Sequence, residues 1–247
     1  MSIASPFCTS YLRHKHGTTK YKKLSHLRAH SISGGFLPRQ VARARKFVRG
    51  TEQTPVLIGI VSLGGSTNRK HLRTYAKTAR LPIPVLTLLG TPNAPDPNGA
   101  DVENMLDIEL SAAAYSYVTG KRAQIVFSQN PNTGTGIAQG IRACRLAGCK
   151  IISISWGAPD TPQQWPAVDR AATEAELQAC IAAGVIVFVA SGDNSAYDGT
   201  RTYNTDYPCG SAYSWAVGGI ALILNPDGTV AQEKAWGDGR PGDEGGG

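Results

Sequence analysis

Five strand-length stretches are rich in apolar residues at consecutive positions rather than alternate ones: Val56–Ser62, Ile83–Leu89, Ala123–Ser128, Lys150–Ser155 and Val185–Ala190. A strand that is apolar on both faces is covered on both faces. Between these runs lie segments of helix-forming composition, at about residues 66–80, 101–115, 136–147 and 166–183. The alternation predicts an α/β fold, a mostly parallel sheet with helices on both faces. Phe36-Leu-Pro38 opens a further short basic helix reaching about Phe47, its proline tolerated in the first turn. The 247 residues suit one large α/β domain better than two small ones. No apolar run is long enough to span a membrane.

The helical segment Asp101–Tyr115 departs from a simple core pattern. Val102, Met105, Leu106, Ile108, Leu110, Ala112 and Ala114 place apolar groups around most of its circumference, yet Glu103 and Asp107 stand one turn apart on one face. Burial and like charge both push at least one of two such carboxyls toward its neutral form. Spacing leaves two readings open: a solvated or Arg/Lys-paired strip, or a pair held for chemistry.

In a parallel sheet the ligand site lies beyond the carboxyl ends of the strands. Trp156-Gly157 and Ser191-Gly192-Asp193 each follow a strand directly, and the loop at Asn98-Gly99 delivers the first turn of the acidic helix to the same edge. Glu103, Asp107 and Asp193 are therefore expected to converge, although Asp193 also suits an Asx turn that closes its strand. All five histidines (His14, His16, His26, His30, His71) precede the acidic helix, and His71 falls on the helix after the first strand beside Arg69, Lys70 and Arg73. An imidazole-based triad at that edge is disfavoured. Neither GxGxxG nor GxxxxGK[ST] follows a strand, so a phosphate-binding loop is not indicated. If there is catalysis, carboxylates must act as its acids and bases.

Charge divides the chain. Eleven of its 25 Lys and Arg residues precede Thr51, with no acid among them, leaving fourteen basic and 18 acidic residues in the remainder, a net of −4. A basic head can attract nucleic acid, but it is interleaved with only Tyr11 and Tyr21 and fits a linker or processing segment better. No apolar h-region follows Met1, so no secretory signal is visible. Cys8, Cys144, Cys149, Cys180 and Cys209 are odd in number and lack CxxC spacing, which argues for buried thiols over a disulfide framework or zinc site.

The order of motifs is more specific than any one of them. A Gly-rich end to the first strand is followed by Glu103-x-x-x-Asp107-Ile-Glu, Ser153-Ile-Ser155-Trp156-Gly157, Ala190-Ser-Gly-Asp193 and Trp236-Gly-Asp-Gly. This series, over roughly Gly35–Gly247, resembles the sedolisin family of serine-carboxyl peptidases, which are subtilisin-like in fold. The resemblance implies that Glu103 is the general base for a serine nucleophile, that Asp107 orients it, and that Asp193 is a protonated acid in the oxyanion hole. It also implies that Ser155, Trp156 and Gly157 hold a peptide or protein substrate as an added strand; Trp156 alternatively serves the core.

Family members work in acid and are typically secreted or in acidic compartments; the compartment of this chain is unknown. The family's nucleophile sits in a Gly-Thr-Ser turn, which is absent from this sequence, and Ser195 is a poor substitute. The expectation is therefore residues 1–34 as a basic leader or prodomain end and 35–247 as a partial peptidase domain. The C-terminal part, with the nucleophile and the family calcium site, is expected beyond Gly247, leaving this chain inactive and without a cofactor of its own. The alternative is a non-catalytic relative that binds peptide or a partner in the retained cleft.

Overall fold

The computed structural model describes residues 2–3, 36–50, 55–193, 196–198 and 200–235. In chain order the elements are β1 (Ser2–Ile3), α1 (Pro38–Ala44), β2 (Leu57–Ser62), α2 (Arg69–Ala79), β3 (Val85–Gly90), α3 (Ala100–Thr119), β4 (Gln124–Gln129) and α4 (Gly134–Leu146). They continue with β5 (Ile151–Ile154), β6 (Trp156–Pro159), α5 (Ala167–Ala182), β7 (Ile186–Ala190), β8 (Asp206–Tyr207), β9 (Trp215–Val217), β10 (Ile220–Leu224) and β11 (Val230–Ala235). The expected basic leader and the Trp236-Gly-Asp-Gly segment fall almost wholly outside the described residues.

Six strands form the central sheet in the order β3-β4-β2-β5-β7-β9, every neighbour parallel. Register follows the apolar runs: Ile58 stands opposite Ile125 on one side and Ile151 on the other. Successive side chains point to opposite faces, which separates two cores. Ile60, Ile125 and Phe127 pack with Leu72 of α2 and with Met105 and Ile108 of α3. Val61, Val126 and Ile152 pack on the other face with Ile137 and Ile141 of α4 and Leu177 of α5. Each fully buried large apolar side chain contributes about 1.5–3 kcal/mol. This explains why strands and helices match the apolar pattern within a few residues.

Local chemistry sets the helix ends. Asn68 caps α2 by accepting from the backbone N–H groups of Lys70 and His71, each at 3.0 Å. Thr133 caps α4 through Gly136 N–H at 3.0 Å. Acids Asp101 and Glu103 occupy the first turn of α3, where the helix dipole favours negative charge. Gly120 ends α3 in the left-handed conformation, φ 70°.

Antiparallel pairing lies outside the main sheet. β1, β6 and β8 form a small sheet in that order, and β10 and β11 form a hairpin. The strand β6 was not visible in the apolar pattern, because Trp-Gly-Ala-Pro carries glycine and proline inside a strand. Cys144, Cys149, Cys180 and Cys209 are free and buried, as expected; Cys8 lies outside the described residues.

Candidate active site

The N-terminal half of α3 is fastened to the end of β2. Ser62 Oγ donates to Asn104 Oδ1 at 2.8 Å, and Asn104 Nδ2 donates to the carbonyls of Gly64 and Ser66 at 2.9 and 3.2 Å. Asp101 accepts from the N–H groups of Ser66 and Asp96. Gly65, at φ +66°, lets the chain turn here; a Cβ would lie 2.7 Å from Asp101 Oδ1. The first turns of α3 are thereby held at the carboxyl edge of the sheet.

Asp107 is 1% exposed and accepts a hydrogen bond from Ser155 Oγ at 2.8 Å. Burial raises its pKa to about 7, and the Ser155 hydrogen bond acts in the opposite direction. A solvated strip is thus excluded for Asp107. Glu103, one turn earlier, is half-buried. Ser155 ends the β5 run, so this one bond ties the acidic helix to the strand whose continuation is β6.

Trp156 is buried in the core, where its ring fits under Gly64; a Cβ on that glycine would approach Trp156 Cη2 to 3.2 Å. Its side chain therefore serves packing, the second of the two expectations. Its backbone does something else. Trp156 and Gly157 pair antiparallel with Ile3 and Ser2, so the edge carries an added extended segment of the chain itself. Gly157 has no room for a side chain, because a Cβ would meet Asp206 Oδ2 at 2.8 Å.

Asp193 follows β7, the strand beside β5, and is exposed, not enclosed with Asp107. Partial desolvation and then the neighbouring Asp198 charge raise its pKa. The approach of its loop to the Trp156-Gly157 edge is mediated by Asp206, which lies against both Gly157 and Gly192. Asp198 and Asp206 are buried carboxyls that the sequence reading missed. Burial, a hydrogen bond with Asp198, and the charges of Asp198 and Asp193 push Asp206 to about 8. Tyr203-Asn-Thr-Asp206-Tyr-Pro carried no spacing signal; only an acid inside an otherwise sheltered turn hinted at it.

His71 is half-buried on α2 rather than free on its surface, and its Nδ1 lies 3.9 Å from Glu109 Oε1. Glu109, raised to about 8 by burial, is two residues from Asp107 and so on the other side of α3. His71 is directed away from the acid pair's partner Ser155. Ser62, Ser128, Ser153 and Ser155 are all enclosed, and Ser195 lies outside the described residues. Among the described residues no group of three or more His, Cys, Asp or Glu is arranged to hold a metal ion, and no helix is long and apolar enough to cross a membrane.

Comparison with known proteins agrees with this geometry. Residues 101–233 match the subtilase family. Kumamolisin from Bacillus sp. (strain MN-32) is 32% identical over 222 residues, 86% of this chain and 39% of its own length. Among solved structures, Pseudomonas sedolisin, a serine-carboxyl proteinase complexed with two molecules of pseudo-iodotyrostatin, aligns with TM-score 0.67 at 19% identity over 85% of this chain and 61% of that one. The structural likeness is one of fold, and the chain spans less than two thirds of either protein. The family match runs from the acid helix into the hairpin, and the chain belongs to the subtilase family, among its sedolisin members.

Proposed function

We propose that the chain carries the acid–base apparatus of a serine-type peptidase that hydrolyses peptide bonds at acidic pH through an acyl-serine intermediate. Glu103 is the general base that takes the proton from the nucleophilic hydroxyl, and Asp107 is its positioning residue. With a pKa of about 7, Asp107 is neutral in acid. A neutral neighbour does not repel the Glu103 carboxylate, which stays free to receive a proton. Asp193 is proposed to donate its O–H to the oxyanion. Its raised pKa, beside Asp198, favours the neutral form as pH falls.

The substrate peptide is proposed to add antiparallel to the backbone of Ser155, Trp156 and Gly157. The observation that carries this reading is the Asp107–Ser155 hydrogen bond, which couples a buried acid to the peptide-accepting edge. None of the enclosed serines suits the nucleophile. The proposed calcium site has no ligand group among the described residues, and no step is routed through it.

The test uses the protein expressed with whatever coding sequence follows position 247. Glu103→Gln should lower peptide hydrolysis at about pH 4 by 10²–10⁴-fold with unchanged circular dichroism. Undiminished hydrolysis would refute the role of Glu103. The pairing of β1 on β6 favours a second reading, a non-catalytic relative that holds a peptide on that edge. Saturable peptide binding with no hydrolysis in the same protein would select it.

A further inference from the structure

Away from the acids, α1, the end of α2 and the last turns of α3 border a cavity of about 310 Å³ that is open to solvent. Four arginines line it: Arg39 and Arg43 from α1, Arg49 from the segment that follows, and Arg80 at the C-cap of α2. No acid lines it. Among the described residues none of the four makes a salt bridge, whereas Arg45 on the same helix pairs with Glu233 at 2.7 Å. Arg39 and Arg43 are four apart on α1, a like-charge arrangement that by itself costs a few tenths of a kcal/mol. Arg49 lies over the Tyr117 ring, 5.8 Å from its centroid, and the Gly50 N–H donates to Val118 O at 3.0 Å, fixing this segment against α3.

The cavity floor adds a polar group. Ser116 lines the cavity, is 7% exposed, and its Oγ is buried without a hydrogen-bond partner. A buried hydroxyl left unmatched is unfavourable by about 1–3 kcal/mol. Two helix ends also reach this place, since Arg80 caps α2 and Gly120 caps α3. Their partial negative charge, about half a charge each, accounts for one of the four positive charges and leaves about three. The four side chains are exposed to water, and together they make this face electropositive.

We propose that this cavity binds a small phosphate-bearing anion of the di- or triphosphate class. Guanidinium forks match phosphate oxygens two at a time, and the charge of arginine does not titrate in the working range. Ser116 donates its hydroxyl hydrogen to one ligand oxygen. The ligand phosphate belongs either to a soluble molecule or to a lipid headgroup, and the chemistry that binds it is the same.

The test is calorimetric titration of the full chain with inorganic tripolyphosphate at low salt. Saturable binding that weakens with added salt is expected. Arg39→Gln/Arg80→Gln should weaken it at least tenfold, while Lys150→Gln/Lys234→Gln, with the same net charge and both positions outside the cavity, should leave it unchanged. Arg39→Lys/Arg80→Lys keeps the charge but loses the forks and should bind at least threefold more weakly than the original chain.

Equal affinity in all three variants, no saturation, or tighter binding of citrate than of tripolyphosphate would overturn the proposal. Circular dichroism of each variant separates lost binding from lost folding, and the lysine variant retains a test if the glutamine one does not fold. Sedimentation with vesicles containing phosphatidic acid distinguishes the sources. Co-sedimentation competed by tripolyphosphate assigns a headgroup, and tripolyphosphate binding without co-sedimentation assigns a soluble ligand.

Discussion

Replacing Asp107 by Asn should make the protein's stability less sensitive to pH. The folded-state pKa of Asp107 is about 7 against an ordinary 3.8, a rise caused by burial and moderated by the Ser155 hydrogen bond. Between those values the folded protein retains a proton that the unfolded chain has released. The contribution is therefore complete below the unfolded pKa and is lost as pH rises through the folded one. Three pH units at 1.36 kcal/mol each amount to about 4 kcal/mol, a large fraction of the 5–15 kcal/mol typical of a domain.

Asn keeps the shape, still accepts from Ser155 and cannot ionise. Urea denaturation of both proteins from about pH 4 to about pH 7.5 measures the difference. The variant should gain about 4 kcal/mol relative to the original across that range. Glu109 and Asp206, both raised to about 8, contribute alike to the two proteins and cancel in the comparison. A difference independent of pH would show that Asp107 ionises as an ordinary carboxyl, and the argument from burial would be wrong.

Other consequences are open to simpler assays. Ser155→Ala removes the bond that favours the charged form of Asp107, so the carboxyl's midpoint in a carbon-13 NMR titration should move upward by about 1–2 units, the equivalent of 1.5–3 kcal/mol; no movement would detach Ser155 from Asp107. Gly157→Ala puts a methyl 2.8 Å from Asp206 Oδ2 and should lower stability by about 1–3 kcal/mol and weaken peptide binding, both measurable on the purified chain. Deleting residues 1–33 should abolish any salt-sensitive binding of DNA or RNA, since that segment contains six of the eleven basic residues before Thr51 and no acid; retention measured by fluorescence anisotropy would place such binding on the folded part.

The sheet was legible because buried parallel strands need apolar residues on both faces, and Val56–Ser62 or Val185–Ala190 have no other use for them. The one-turn spacing of Glu103 and Asp107 was legible in the sequence, and so was the edge of the sheet, from Trp156-Gly157 and Ser191-Gly192-Asp193, which directly follow strands. What the pattern hid was long-range. Asp206 becomes part of the site only because β8 pairs with β6, a contact between Pro159 and Asp206 separated by 46 intervening residues. Trp156 looked equally suited to the cleft and the core, and the space above it at Gly64 decided for the core. The exposed position of Asp193 was also beyond the sequence, since strand position fixes where a residue starts but not how far its loop carries it from the sheet.

Carboxylates in place of imidazole make a distinct demand on pH. The rate of peptide hydrolysis, measured as kcat/KM from about pH 3 to about pH 8 on the protein expressed with whatever coding sequence follows position 247, tests this directly. Activity should be greatest near pH 4 and decline toward neutrality as the acids that must hold protons, Asp107 and Asp193, lose them. Activity that is negligible at pH 4 and rises through about pH 6.5 to a plateau, as an imidazole base requires, would contradict the carboxylate mechanism.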